Sequence, residues 1–287
     1  MSVITERELN EVQRANESGL TPVVFVHGLW LLPSSWDNWK DFFEANGYIG
    51  VAPGWPDDPE TVAEAHAHPE TFAHKMVQGV TDHFAEVIAK LDKKPALIGH
   101  SFGGLIVQKL AGEGIAWGTV AIDGAPFRGV LPLPTESLKS ALPVLGNIGN
   151  RNKAITLTFE QFKFGWTNHL DEAESLELYE KYHVPASGAP LFQAATANLN
   201  PFTEAKADYL NPERGPLLII SGVGDNTAPP AIQKAAFKQQ QKNVGLTEYI
   251  EIPNRGHSLT LDHGWKEVAQ VSLDFITKVT TSADAPA

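Results

Sequence analysis

The sequence predicts an α/β fold, with a doubly wound, mostly parallel sheet of about six strands, and two patterns support this prediction. First, six short apolar segments have the length and composition of buried strands, at residues 22–27, 47–52, 95–100, 117–122, 216–221 and 247–252. Second, segments with apolar residues at helical spacing separate most of these strands, which is typical of parallel sheets covered on both faces. The 287 residues suffice to bury the core of one such domain.

The strand positions divide the chain into segments. Residues 1–19 are expected to form an N-terminal helix, and residues 20–124 and 214–280 form the sheet domain. Residues 125–213 contain helical patterns and no convincing strand, and this is far more chain than a crossover between neighbouring strands needs. We therefore expect an all-helical insertion there, in which the capping box Thr158–Gln161 starts one helix. Residues 281–287 are expected to be a disordered tail.

The composition excludes several classes of function. The chain has no cysteine, which rules out disulfides, thiol catalysis and thiolate metal sites. Its formal net charge of −12 disfavours nucleic acid as a partner, because phosphate binding requires a basic surface. No apolar stretch reaches membrane-spanning length, and the first residues lack the basic and apolar regions of a signal peptide. We therefore expect a cytoplasmic protein without a membrane span.

The segment Gly99–Gly103 (Gly-His-Ser-Phe-Gly) is the strongest functional motif. It follows the strand at 95–100 and precedes apolar residues at helical spacing, and G-x-S-x-G in this context is typical of a nucleophile elbow. The glycines allow close backbone approach in a strained turn that exposes the serine hydroxyl above the sheet. The amides that follow lie at a helix N-terminus, where they stabilise negative charge. We therefore interpret Ser101 as a nucleophile.

A nucleophilic serine requires a base, and a carboxylate that orients this base. Asp225 and His257 each follow a strand, at 216–221 and 247–252, and with Ser101 they give the chain order Ser, Asp, His. Because the carboxyl ends of parallel strands meet at one edge of a sheet, we expect these side chains to lie together. Asp123, after the strand at 117–122, is the alternative acid. Asp262 is a further local candidate that we expect to flank the last helix.

Two backbone amides are expected to form an oxyanion hole, which stabilises the negative charge on a carbonyl oxygen under attack. The residue after the nucleophile supplies one amide in this arrangement, and here that residue is Phe102. The second amide comes from the loop after an early strand. The strand at 22–27 leads into His27-Gly28-Leu29, so the Leu29 N–H is the expected second donor.

Taken together, four segments resemble the motifs of the α/β-hydrolase superfamily: His27–Trp30, Gly99–Gly104, Gly224–Asp225 and Gly256–His257. The elbow is similar to that of esterases, lactonases and cofactor-free haloperoxidases or perhydrolases. It differs from haloalkane dehalogenases and epoxide hydrolases, in which an aspartate replaces the serine. The resemblance implies that the insertion at 125–213 is a lid. The two antiparallel strands that usually open the family's sheet are missing here, because residues 4–17 have the pattern of an amphipathic helix.

The resemblance implies a serine hydrolase that cleaves carboxylic esters or lactones of small to medium apolar substrates through an acyl-enzyme. Trp30 and two lid aromatics, Phe162 and Trp166, are expected in the substrate pocket. Neither a metal nor an organic cofactor is implied. The alternative is a perhydrolase or cofactor-free haloperoxidase that uses the same three side chains. A third hypothesis, of another class, is a ligand-binding homologue without activity.

Overall fold

The computed structural model describes residues 3–283. Its strands are β1 (Thr21–Val26), β2 (Tyr48–Val51), β3 (Ala96–His100), β4 (Gly118–Ile122), β5 (Ala154–Ile155), β6 (Ala186–Ser187), β7 (Leu217–Gly222) and β8 (Thr247–Ile252). Six of them form one sheet in the order β2-β1-β3-β4-β7-β8, in which every neighbouring pair is parallel. The predicted parallel sheet of six strands is therefore confirmed.

Eleven α-helices accompany the strands within residues 3–283. They are α1 (Glu6–Ser18), α2 (Asp37–Glu44), α3 (Val62–Ala67), α4 (Val77–Ile88), α5 (Phe102–Gly112), α6 (Thr135–Leu145), α7 (Phe159–Gly165), α8 (Glu172–Tyr182), α9 (Ala189–Ala195), α10 (Pro230–Gln240) and α11 (Trp265–Ala283). Helix α1 enters β1 directly, so the sheet has no antiparallel strand before β1 in the described part of the chain.

Alternate residues of the central strands face two separate apolar layers. Val24 and Val26 of β1 belong to the layer that includes α4 and α5. Val23 and Phe25 belong to the opposite layer, with α2 and α11. All four side chains are fully buried, which is why the strand reads as a continuous apolar run and not as an alternating one. Burial on both faces is what makes the fold doubly wound.

The insertion at 125–213 differs from the all-helical prediction. Helices α6–α9 make up most of it, but β5 and β6 form a small antiparallel sheet in which Ala154 pairs with Ser187 and Ile155 with Ala186. Two-residue strands are too short to show an alternating pattern, so the sequence gives no signal for them. The all-helical prediction was wrong on this point.

The C-terminal helix α11 extends to Ala283, so residues 281–283 are helical and not part of a disordered tail. The rest of the predicted tail, residues 284–287, lies outside the described residues. None of the described helices combines the length and the apolar character that crossing a membrane requires.

Candidate active site

Four sheet strands bring the candidate residues to one edge of the sheet. The loop with Gly28 follows β1, Ser101 follows β3, Asp225 follows β7, and His257 follows β8. Because all four strands are parallel, these loops leave the sheet at the same carboxyl edge. The α/β topology thus assembles side chains that are separated by up to 229 positions in the sequence.

Ser101 occupies a sharp turn between β3 and α5. Its backbone has φ 58° and ψ −123°, a left-handed φ that non-glycine residues rarely adopt. The Ser101 N–H donates to the carbonyl oxygen of Ile122 at 3.0 Å, and the Ala125 N–H donates to the Ser101 carbonyl oxygen at 2.9 Å. These bonds to the segment around the end of β4 hold the strained turn in place.

Gly99 and Gly103 stand where the turn is too crowded for a side chain. A Cβ on Gly103 would lie 2.7 Å from the carbonyl carbon of Val26, and closer still to its oxygen. A Cβ on Gly99 would lie 2.6 Å from the carbonyl carbon of Gly103. In both cases the obstacle is backbone, which cannot rotate away. The two glycines of the motif therefore allow α5 to pack against β1 and β3.

The side chains of Ser101, His257 and Asp225 form a continuous chain of hydrogen bonds. The distance from His257 Nε2 to Ser101 Oγ is 2.9 Å, and from His257 Nδ1 to Asp225 Oδ2 it is 2.6 Å. Since an ionised carboxylate only accepts, the Nδ1–H donates to Asp225, and Nε2 is left to accept the serine proton. The imidazole and the carboxylate are fully buried. This geometry suits proton transfer from the serine to the histidine.

The structure brings Asp225 into contact with His257, and neither Asp123 nor Asp262 makes this contact. The second oxygen of Asp225 accepts from the N–H groups of Thr227 at 2.6 Å and Ala228 at 3.0 Å. These two amides fix the plane of the Asp225 carboxylate.

The other two candidate acids, Asp123 and Asp262, have different partners. Asp123 is buried at the end of β4, and its Oδ1 accepts from the Gly222 N–H at 2.9 Å. Asp262 forms a buried ion pair with Arg255 and accepts from the Gly264 N–H at 3.0 Å. Burial is the main cause that raises the pKa of the Asp262 carboxyl, against the opposing effect of the Arg255 charge.

Two aromatic side chains enclose His257. The His100 ring lies 4.6 Å from the His257 ring, and the Trp166 ring meets it edge-on at 4.7 Å. Burial lowers the pKa of His100 well below its ordinary value, and the charge of His257 lowers it further. His100 is therefore a neutral neighbour. The sequence gives no signal for the Trp166 contact, because Trp166 lies in the insertion and 91 positions from His257.

Of the predicted oxyanion donors, Leu29 lies in the loop after β1, and Phe102 is the first residue of α5, directly after Ser101. Both residues are buried, and within residues 3–283 neither amide donates to a protein acceptor. Gly28 brings the first loop close to the nucleophile, because a Cβ there would lie 2.7 Å from the Cβ of Ser101. The two amides therefore have no acceptor in the described part of the protein, and Leu29 follows the residue that approaches Ser101.

A buried charged cluster under the Gly28 loop was missed by the sequence analysis. Asp58 lies 3.3 Å from His27 Nε2 and forms an ion pair with Lys75, and all three side chains are buried. Trp55 stacks on the His27 ring and donates from Nε1 to the His27 carbonyl oxygen at 3.0 Å. The cluster fixes the residue next to Gly28. No motif marks Asp58, because its partners are distant in sequence.

A small apolar cavity of about 90 Å³ adjoins Ser101. Its walls come from both the sheet domain and the insertion: Trp30, Ser101, Phe102, Ala125, Pro126, Leu133, Ser137, Leu138, Ser140, Ala141, Leu145, Leu191, Ala194, Ala195, Thr227, Ala228 and Ile232. Trp30, which is expected in the substrate pocket, is one of these residues.

Phe162 and Trp166, also expected in the pocket, do not line this cavity. Both are buried and stack on each other with ring centres 5.6 Å apart, and Trp166 also contacts the His257 ring. Aromatic residues at a spacing of four face the same side of a helix, but that spacing does not say which neighbour they contact. The smaller Leu138 and Leu191 form the pocket wall instead.

Asp123, Asp225 and His257 offer ligand atoms within 4.8 Å of one another, so a metal site must be considered. The 2.6 Å separation of His257 Nδ1 and Asp225 Oδ2 is that of a direct hydrogen bond. Two ligands that each lie about 2.0–2.2 Å from one zinc ion are normally farther apart. The donor set therefore fits a proton between these atoms better than a cation.

The chain belongs to the alpha/beta hydrolase family, whose sequence model matches residues 23–271. Among solved structures, it is similar to a monoacylglycerol lipase of Paleococcus ferrophilus, with 20% identity, TM-score 0.64, and coverage of 90% of this chain and 94% of that one. A pyrethroid hydrolase from Sphingobium faniae JZ-2 has 17% identity, TM-score 0.63, and coverage of 92% and 99%. Polyneuridine aldehyde esterase has 20% identity, TM-score 0.61, and coverage of 89% and 98%. A comparison with curated proteins gave no significant match.

The Gly28 loop yields a first testable prediction. Gly28→Ala introduces a Cβ 2.7 Å from the Ser101 Cβ and 3.0 Å from the His100 carbonyl oxygen, so the loop must move away from the nucleophile. Because a displaced oxyanion donor typically costs about 10²–10³-fold in rate, we expect kcat for an activated ester to fall by at least about tenfold. Steady-state kinetics measure this fall. Unchanged kcat in the folded variant would show that the loop does not approach the reacting centre.

Proposed function

We propose that this protein is a serine hydrolase that cleaves carboxylic esters or lactones with small apolar groups. The main support for this proposal is the chain of hydrogen bonds from Ser101 through His257 to Asp225. The distance from Ser101 Oγ to His257 Nε2 is 2.9 Å, and from His257 Nδ1 to Asp225 Oδ2 it is 2.6 Å. The free amides of Leu29 and Phe102 beside the serine support the same reading. Membership of the alpha/beta hydrolase family, and structural neighbours named as a lipase and an esterase, agree with ester hydrolysis.

In the proposed acylation step, Ser101 Oγ attacks the ester carbonyl carbon while His257 Nε2 accepts the hydroxyl proton. Asp225 holds the Nδ1–H of His257 and stabilises the imidazolium that forms. The Leu29 and Phe102 amides donate to the oxygen that becomes negative. When the tetrahedral intermediate collapses, the bond to the leaving oxygen breaks and His257 returns the proton to that oxygen. The acyl group then remains on Ser101.

In the deacylation step, water replaces the alcohol as the reacting partner. His257 Nε2 accepts a proton from water, and the water oxygen attacks the acyl carbon of the Ser101 ester. The collapse of this second intermediate returns the proton to Ser101 Oγ and releases the carboxylic acid. The histidine thus begins and ends each cycle neutral. Both neighbours of His257 suit this cycle. Asp225 accepts the Nδ1–H throughout, and His100 is neutral, so it does not repel the imidazolium when that forms.

The size of the cavity favours short acyl chains. Its volume is about 90 Å³, and apolar side chains such as Leu138, Leu191 and Ile232 form much of the wall. An acyl group that fits gains apolar burial without losing hydrogen bonds, whereas a longer chain has to displace lid side chains. The proposed substrates are therefore esters with small apolar acyl groups.

A panel of p-nitrophenyl esters with acyl chains of increasing length tests the proposal. We expect kcat/KM to be highest for acetate or butyrate and to fall at least about tenfold for decanoate, because each mismatched methylene changes pocket binding measurably. Leu191→Ala removes part of the cavity wall, so the cavity becomes larger and the preferred acyl chain should become longer. Leu176→Ala, on the exposed side of α8, is the matched control and should leave the profile unchanged. Absence of turnover with every ester and lactone would refute the proposal.

The same panel distinguishes perhydrolysis, which uses the same residues with peroxide in place of water. Hydrogen peroxide and bromide are added together with a short carboxylic acid, and bromination of a dye is followed. Ester turnover without peroxide-dependent bromination supports the hydrolase. Peroxide-dependent bromination without ester turnover would replace it with the perhydrolase. Saturable binding without either reaction would favour the ligand-binding homologue.

A further inference from the structure

Asp123 lies beside Asp225 and His257 but outside the chain of hydrogen bonds that joins them to Ser101. The side chain is fully buried at the carboxyl end of β4, and its Oδ1 accepts from the Gly222 N–H at 2.9 Å. Its Oδ2 has no hydrogen-bond partner among the described residues. The ligand atoms of Asp123, Asp225 and His257 all lie within 4.8 Å of one another. A carboxylate oxygen therefore faces a second carboxylate in a site closed to water.

Two adjacent buried carboxylates cannot both be ionised, because burial removes solvation from each and like charges repel. The hydrogen-bond donors decide where the negative charge resides. Asp225 accepts from His257 and from the N–H groups of Thr227 and Ala228. Asp123 has two donors beside it, the Gly222 N–H and the Ser221 hydroxyl, one fewer than Asp225 has. Asp225 has more hydrogen-bond donors to stabilise a negative charge, so we place the charge on Asp225 and the proton on Asp123.

We propose that Asp123 is a positioning residue that carries a proton on Oδ2 and donates it in a hydrogen bond to Asp225. This bond would satisfy the unpartnered Oδ2 of Asp123 and hold the Asp225 carboxylate toward His257. The direction of the Asp123 pKa agrees with this assignment: burial raises it well above its ordinary value, and the Asp225 charge raises it further. The inference rests on the proposed function, since Asp123 acts only through Asp225.

The ionisable groups that face Asp123 are Asp225 on the β7 loop, His257 on the β8 loop, and Tyr249 on β8. Burial raises the pKa of Tyr249, and its hydroxyl donates to Glu251 at 2.8 Å, so this phenol stays neutral. The shared proton leaves one negative charge between Asp123 and Asp225. That charge balances the imidazolium of His257 when it forms.

Asp123→Asn is the decisive variant, because the amide imitates a protonated carboxyl without titrating. Its nitrogen can donate to Asp225 while its oxygen accepts from Gly222. The backbone φ of 41° at this position suits Asn as well as Asp. Asp123→Gly is the matched variant that tolerates the same φ but removes the donor.

Stability against pH tests the proton directly. An acid whose pKa is raised in the folded state must bind a proton on folding once the pH exceeds its unfolded pKa, so stability falls as pH rises toward the folded pKa. The Asn side chain does not titrate, so it makes no contribution to the pH dependence of stability. Thermal melts of Asp123→Asn and wild type should therefore diverge between about pH 5 and about pH 8, with the Asn variant gaining relative stability at the higher pH. A difference that stays constant or reverses over this range would overturn the proposal.

Kinetics test the positioning role. We expect Asp123→Gly to lower kcat by about ten- to a hundredfold with little change in KM, because a misplaced acid misaligns the base. Asp123→Asn should restore kcat to near the wild-type value, and the acidic limb of its kcat/KM profile should not move. If Asp123 is instead ionised in the wild type, Asn removes a negative charge beside His257, and the acidic limb shifts to lower pH. That shift would also overturn the proposal.

The two proposals fail in different ways. The melting experiment needs no substrate, so the protonation of Asp123 can be established even if no ester is cleaved. An active enzyme in which Asp123→Asn and Asp123→Gly are equally impaired would retain the hydrolase and refute the donated hydrogen bond.

Discussion

Ser101→Ala is expected to lower kcat for ester hydrolysis by about 10⁴- to 10⁶-fold, the largest effect on activity that we predict. In the proposed mechanism the Ser101 hydroxyl attacks the ester and then carries the acyl group, so its loss removes both functions. The remaining rate would come from the Leu29 and Phe102 amides and from substrate binding. Stopped-flow or long-time-course kinetics with p-nitrophenyl acetate measure the effect, and labelling with a fluorescent fluorophosphonate reports the activated serine independently.

Ser272→Ala is the matched control for this prediction. Ser272 is also fully buried, but its hydroxyl donates to the Val268 carbonyl oxygen within α11, on the other side of the sheet from the insertion. It should retain turnover and labelling. Near-normal turnover of folded Ser101→Ala would refute the acyl-enzyme mechanism, and labelling that persists in this variant would assign the reactive group to another residue.

Gly103→Ala is expected to have the largest effect on stability. The new Cβ would lie 2.7 Å from the Val26 carbonyl carbon and 2.9 Å from the His27 carbonyl oxygen, so α5 would have to separate from the end of β1. We expect a loss of more than about 4 kcal/mol in the free energy of unfolding, which is a large part of the stability of a typical domain. Thermal or urea denaturation followed by circular dichroism measures this loss.

Gly79→Ala is the control, because Gly79 is also a helical glycine but is exposed on α4. A Cβ there has no neighbour within 4 Å. Since alanine is the better helix former, this variant should be stabilised by about 0.5–1 kcal/mol. A Gly103→Ala protein as stable as wild type would show that α5 does not approach β1 as closely as the structure has it.

The sequence predicted the six strands of the sheet because each is a short apolar run that must be buried. Residues such as Val23 and Val24 face opposite layers and are both buried, so no polar residue interrupts the run. The elbow was equally readable, since only glycine fits at 99 and 103 beside backbone atoms. Local constraints of this kind leave a local pattern.

The order of Ser101, Asp225 and His257 was also visible, because each follows a strand whose end lies at the same sheet edge. The sequence favours Asp225 by its place in the Ser, Asp, His order, with Asp123 after the adjacent parallel strand as the alternative. In the structure Asp225 is the acid hydrogen-bonded to His257, and the Thr227 and Ala228 amides hold its carboxylate there. Hydrogen bonds to loop amides depend on loop geometry, which residue types alone do not specify.

The insertion shows most clearly what only the tertiary structure determined. Capping residues and apolar spacing located its helices, but the pair β5–β6 and the faces that the helices present depend on contacts with the sheet domain. Phe162 therefore stacks on Trp166, which contacts the His257 ring, while Leu138 and Leu191 form part of the cavity wall. The sequence by itself determined the sheet, the glycine-rich turn around Ser101 and the order of the candidate residues. The structure determined which acid contacts the histidine and which side chains line the cavity beside Ser101, because those contacts join segments far apart in the chain.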